Sequence, residues 1–282
     1  MFGRPTQLFP ADRTLAGRDQ ALFDLPAKHR VLGTPLLASP EDGTAPEGSE
    51  VAYFGLGCFW GAEEIFWQTP GVYSTAVGYQ GGTTANPTYD EVCSGQTNHT
   101  EAVRVVFDPT VVSYADLVKK FFEVHDPTQG MRQGNDVGTQ YRSALYYVSD
   151  AQRETAEELT KIYGDEIARR GYGEITTEIR EVPTFYAAEP AHQQYLDRVP
   201  NGYRCHANTG IAFPATACGQ VSGRYITWRP TRPCDVESNA SGTVPMIWNP
   251  RDFHTRTAVV LVSTTALNWM PWKPCSRCQL TQ

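Results

Sequence analysis

No apolar run in the chain approaches the roughly 20 residues that a helix needs to cross a bilayer. The opening residues, 1–14, mix charges and prolines without the apolar stretch of a secretory signal, so a cytoplasmic, membrane-free protein is the expectation. Basic charge is in short supply as well. The 24 Lys and Arg are outnumbered by 31 Asp and Glu, which gives a net charge of -7 and a pI near 5.4. That balance excludes the basic footprint of a protein that coats nucleic acid. No internal repeat is visible, and cysteine does not come in a paired framework. The seven are scattered and odd in number: Cys58, Cys93, Cys205, Cys218, Cys234, Cys275 and Cys278. In a reducing compartment such thiols serve chemistry or metal binding, or simply fill core space.

What is present is an ordinary globular composition: 282 residues, 40% hydrophobic and 20% charged, enough for one sizeable core or two modest ones. Residues 1–49 are rich in Pro, Gly and Ala and read as an arm that packs on or flanks a domain. The domain itself runs over 50–218. Within it, 51–56, 72–79, 101–107, 143–148 and 175–182 read as strands, while 62–67, 113–122 and 150–170 read as helices. Thr69-Pro70-Gly71 stops the first helix, because proline has no N–H to donate. Ser113 caps the second, which carries Leu117, Val118, Phe121 and Phe122 on one side. A glycine- and polar-rich loop fills 126–140. Strand, helix, strand, strand, helix, strand is the order of a ferredoxin-like two-layer α+β sandwich, here with an extra helix and strand and with long coil-rich terminal segments. Residues 219–282 form an extension of unassigned role, in which only 258–262 reads as a strand.

Cys58 lies between a strand and a helix, in Gly57-Cys58-Phe59-Trp60-Gly61. A helix N-terminus offers orphan N–H groups and a positive dipole end, both of which favour a thiolate. Phe59 and Trp60 put aromatic surface beside the sulfur, which suits an apolar methyl group. Packing in a core is the rival role for all three.

Further segments follow in order: Val77-Gly78-Tyr79 with Gly81-Gly82; Tyr89-Asp90-Glu91-Val92-Cys93-Ser94-Gly95; Thr100-Glu101-Ala102-Val103; His125-Asp126-Pro127-Thr128; Gln133 to Ser143; and His192-Gln193-Gln194-Tyr195-Leu196. Together with the Cys58 motif they resemble the A-type peptide methionine sulfoxide reductases, over roughly residues 30–215. The resemblance implies thiol-dependent reduction of the S epimer of methionine sulfoxide, free and in oxidised proteins. It implies a monomer that uses no metal or organic cofactor, with thioredoxin or a similar dithiol as external reductant. It further implies Cys58 as nucleophile and Glu101 as the acid that protonates the departing oxygen. Tyr89 and Tyr141 become hydroxyl donors to that oxygen, Asp136 an organiser of the pocket, and Phe59 and Trp60 the methyl slot.

A sulfenic acid left on Cys58 condenses readily with a second thiol. Asn201-Gly202-Tyr203-Arg204-Cys205-His206 resembles the family's recycling segment, which makes Cys205 the resolving cysteine by the same resemblance. Cys218 is a candidate second resolving thiol, with an idle thiol as its alternative. Cys93 reads as a small buried residue. Cys275 and Cys278 have redox or metal spacing, but a single C-x-x-C without a second pair does not make a zinc site. His192 is placed on a short helix, where it orients the tail or a pocket group, or is simply structural; His125 is open in the same way. A thiol so exposed to protein substrates also predicts a shallow cleft around Cys58. Two rivals remain: a general thiol–disulfide exchanger, which needs no acid at Glu101, and a non-catalytic binding module that works through the unusual extension.

Overall fold

A computed structural model of the chain describes residues 6–205 and 207–215, and six of its strands share one mixed sheet. The expected core is there. β1 (Glu50–Leu56) leads into α1 (Phe59–Trp67) and β2 (Val72–Gln80); the short α2 (Tyr89–Cys93) precedes β3 (Thr100–Phe107) and α3 (Tyr114–Val124). A two-residue hairpin, β4 (Arg132–Gln133) and β5 (Asp136–Val137), and a 3-10 turn at Thr139–Tyr141 then break up the segment read as plain loop. β6 (Ser143–Tyr147), α4 (Asp150–Arg169), β7 (Glu178–Glu181), β8 (Tyr186–Ala187) and α5 (Tyr195–Arg198) complete the described chain. The sheet order is β7-β6-β1-β3-β2-β8. Its middle four strands are antiparallel in the ferredoxin-like arrangement. The extra helix and strand are α4 and β7, the latter parallel to β6 at one edge. Among the described residues no helix is long and apolar enough to cross a membrane.

Strand alternation sorts side chains to two faces. Ala52, Phe54, Val103 and Val105 join Phe66 of α1, Phe121 and Phe122 of α3 and Leu159 and Tyr163 of α4 in the main core. Val51 and Val106 point the other way, against Ala38 and Ala45 of the N-terminal segment. With both faces covered, all eight residues of β3 are buried. α3 begins with the expected cap: Ser113 accepts from the Asp116 N–H and Asp116 bonds back. The edge strand β8 has no legible periodicity at two residues. It seats because position 78 is glycine: a Cβ there would stand 2.4 Å from the Tyr186 carbonyl oxygen. Phe9 exchanges backbone hydrogen bonds with the Asn98 side chain, and Arg18 forms a bidentate pair with Glu91. Glu91 is also the capping partner of Thr88 at the start of α2, so this arm contact steadies the turn that presents Tyr89.

Three histidines are built into this frame as neutral rings. His125 lies 2.6 Å from the Phe121 carbonyl and 2.8 Å from the Ser143 hydroxyl. His99 accepts from the Gly82 N–H and reaches the Thr84 carbonyl. His29 accepts from two backbone N–H groups through Nδ1 and bonds Thr75 through Nε2. Burial pulls each from 6.5 down to about 4. Glu63 behaves oppositely: burial pushes it from 4.5 up to about 7, although Gln194 and Thr75 donate to it. Near pH 5.5, between the unfolded and folded values, the unfolded chain therefore binds nearly three more protons at these histidines and nearly one fewer at Glu63. Folding stability should thus fall on acidification through that window, by roughly 2.7 kcal/mol per pH unit for a net uptake of two protons. Denaturant unfolding at pH 7, 6 and 5 measures it; a stability that stays flat or rises would contradict this assignment of charge.

Candidate active site

The chain enters the site from β1 through Gly57, whose φ of +96° lies in the region that favours glycine. A Cβ at Gly57 would also meet the Gln133 side chain at 2.8 Å. The turn sets Cys58 at the N-cap of α1, as its sequence position predicts. The electrostatic expectation is overturned. The first helical N–H, that of Phe59, donates to Glu101 Oε2 at 3.0 Å and not to the sulfur. Burial, then the Glu101 charge, pushes the Cys58 thiol well above its ordinary value; Asp136 and Cys205 add to this, and a bond from the Trp60 backbone only partly offsets it. Desolvation of a thiolate outweighs the helix end here. Cys58 is therefore held as a thiol at rest.

Glu101 is not the exposed strand-end carboxylate that its position allowed. It is 2% exposed, on central β3, in register with Tyr79 of β2. Tyr89 stands at the start of α2. Burial first, then the Glu101 charge, pushes its phenol up, with Cys93 and Tyr141 contributing, so it stays a hydroxyl donor across the physiological range. Its backbone N–H is held by Glu189 Oε1 at 2.7 Å, and Tyr79 donates to the other Glu189 oxygen at 2.8 Å. Tyr141 is buried in the 3-10 turn.

The aromatic wall is built from two distant segments. Trp60 stacks on Tyr195 at 4.1 Å between ring centroids and donates through Nε1 to His192 Nδ1 at 3.2 Å. His192 also faces Phe59 at 5.5 Å and Tyr89 at 4.4 Å. It lies in the turn before α5 and not on a helix, because Gln194 takes a left-handed conformation there. Gln194 is fixed by bonds to buried Glu63, one turn along from Cys58 on α1.

On the other side of the sulfur a cleft of about 360 Å³ is lined by Cys58 and Cys205 together with Glu64, Gln133 and Arg204. Cys58 lines this cleft and is 8% exposed, so it is not sealed from solvent. Cys58 and Cys205 are free thiols. Asp136 accepts from the Tyr203 hydroxyl at 2.9 Å and bears electrostatically on both thiols. Every site residue read from the sequence within 58–205 is thus drawn into one neighbourhood. Cys93 proves half-buried and partnered with Tyr89. Cys218, Cys275, Cys278 and the strand read at 258–262 lie outside the described residues. The sequence reading passed over Glu189 and Glu64. Tyr79, Tyr203 and Arg204 lay within quoted segments, but nothing in the sequence singled them out.

A fold that brings two free thiols, a buried carboxylate and two tyrosines to the start of one helix defines a class, the thiol-based oxidoreductases. Comparison with known proteins gives the particular family. The sequence model described as peptide methionine sulfoxide reductase matches residues 50–217. The chain is 55% identical to peptide methionine sulfoxide reductase MsrA 1 of Synechocystis sp., over 76% of this chain and 94% of that one. It is also 55% identical to the MsrA of Azotobacter vinelandii, over 72% and 91%. Among solved structures it resembles methionine sulfoxide reductase A of Corynebacterium diphtheriae, with 47% identity, a TM-score of 0.66, and coverage of 73% of this chain and 97% of that one. The chain belongs to the peptide methionine sulfoxide reductase family.

Proposed function

We propose that this chain reduces the S epimer of methionine sulfoxide, in proteins and free, with Cys58 as nucleophile and Cys205 as resolving thiol. The observation that carries the reading is Glu101: a carboxyl group 2% exposed, bonded to the Phe59 N–H and acting electrostatically on Cys58. A charged Glu101 keeps Cys58 protonated. A neutral Glu101 relieves that repulsion and is itself an acid for the sulfoxide oxygen, so one protonation answers both needs.

In the first step the Cys58 thiol gives its proton to Glu101, and the sulfur attacks the sulfoxide sulfur. The oxygen, held by Tyr89 and Tyr141 and protonated by Glu101, moves to Cys58 as a sulfenic acid, and methionine leaves with the electron pair. Phe59 and Trp60 face the substrate methyl group, and Asp136 steadies the opposite rim. In the second step Cys205 attacks the Cys58 sulfur, a disulfide forms, and water departs. Two thiols supply the two electrons, so the balance asks for no metal or organic cofactor. A dithiol protein such as thioredoxin then returns both cysteines to thiols by exchange. This reading places a monomer in the cytoplasm, where such reductants act, and gives it the repair of oxidised proteins as its task.

Cys205→Ser tests the second half. The variant should release one methionine per enzyme without reductant and then stop under thioredoxin recycling, with a dimedone-reactive sulfenic acid left on Cys58. Undiminished thioredoxin-driven turnover would remove Cys205 from the mechanism.

A further inference from the structure

The resolving thiol sits in coil, where a chain ordinarily samples many positions, yet each of residues 203–205 is tied to a different element. Tyr203 bonds Asp136 on β5, and the Cys205 sulfur donates to the Gln133 carbonyl on β4 at 3.4 Å. Arg204 makes the strongest tie. Its Nε and Nη2 donate to the two carboxylate oxygens of Glu64 on α1 at 2.6 and 2.7 Å, a bidentate pair. Its Nη1 donates back to the Pro200 and Gly202 carbonyls, which stiffens the turn leading to the thiol. The coil lies over α1 at Gly61, where even a methyl group would stand 3.8 Å from the Arg204 Cα. Cys58, Glu64, Arg204 and Cys205 line one cleft.

We propose that the Arg204–Glu64 pair is a clip that positions Cys205 for attack on the Cys58 sulfenic acid. This rests on the reductase reading above. The pair is partly exposed, with side chains 30% and 19% accessible, and such pairs add little to stability. Its effect is on rate, through the effective concentration of one thiol at the other. In the step it serves, the Cys205–Cys58 sulfur bond forms and the Cys58 sulfur–oxygen bond breaks. The hydroxyl takes the Cys205 proton and leaves as water, so Cys205 is oxidised and the sulfenic sulfur reduced.

The test measures disulfide formation in full-length wild type, Arg204→Glu, Glu64→Arg and the double exchange, each normalised to its own methionine burst. The same rate is measured after one equivalent of hydrogen peroxide, which makes the sulfenic acid without any sulfoxide. Each single variant should slow disulfide formation at least tenfold and accumulate dimedone adduct on Cys58; the double exchange should recover to within about threefold of wild type. A single variant that closes its disulfide at the wild-type rate overturns the clip. So does a double exchange as slow as either single, since a merely structural role predicts no rescue by reversed charges. If no protein releases methionine, the reductase reading fails on its own, and the peroxide-driven rates still decide the clip.

Discussion

Cys58→Ser should lose methionine sulfoxide turnover by at least 10³-fold, equivalent to about 4 kcal/mol or more of transition-state stabilisation. Serine matches the thiol in shape but is a far weaker nucleophile toward sulfur, because its hydroxyl is much less acidic and its oxygen less polarisable. The burial and charge that hold Cys58 as a thiol would hold a serine hydroxyl still more firmly. The fold should be unaffected, because Cys58 makes its turn through Gly57 and the backbone of α1. Unfolding midpoints equal to wild type, alongside a lost methionine burst, are the expected pair of results. Turnover within tenfold of wild type would mean that another thiol carries the reaction.

Glu101→Gln should lower turnover by about 10²- to 10⁴-fold, the range of a well-placed general acid. Glutamine keeps the volume, and its carbonyl can still accept the Phe59 N–H, so a loss reports on proton transfer and not on collapse. The same change has an opposite effect that separates two roles of one side chain. The Glu101 charge raises the Cys58 thiol, so its removal must lower that value. Alkylation of Cys58 by iodoacetamide at pH 8 should therefore become faster in the variant whose turnover has fallen. A more nucleophilic but less productive cysteine is what an acid-catalysed sulfoxide reduction predicts. A general thiol–disulfide exchanger predicts a faster cysteine and undiminished turnover, and that outcome would favour the rival.

The fold was legible where periodicity or capping chemistry extends over a full element. The Ser113 cap with its row of Leu117, Val118, Phe121 and Phe122 is one case, and the apolar run of β1 ending at Gly57 is another. It was not legible in β4, β5 and β8, which are two residues each and owe their pairing to tertiary contact. The site divides along the same line. Cys58 is a candidate nucleophile by its place between strand and helix, and the family motif decides it against a packing role. Glu101, Tyr89 and Tyr141 were marked by family resemblance alone, because a carboxylate on a strand and a tyrosine in a loop carry no local signature.

The thiol's ionisation was misread for a physical reason. A helix end is visible in sequence, whereas the buried Glu101 behind it belongs to a strand more than forty residues away. The ties that hold residues 203–205 are equally remote, since Arg204 meets Glu64 across 140 positions. His192 shows the limit from another side. Its aromatic neighbours Trp60 and Phe59 come from α1 and Tyr89 from α2, and only the fold assembles them.

A methionine sulfoxide derivative resolved into its two epimers is incubated with the full chain and dithiothreitol, and methionine is quantified beside Cys58→Ser. Each of the two sulfoxide epimers has its own reductase. Wild type should consume the S epimer and leave the R epimer intact, and Cys58→Ser should consume neither. Consumption of neither epimer by wild type, or of the R epimer alone, would contradict the proposed function.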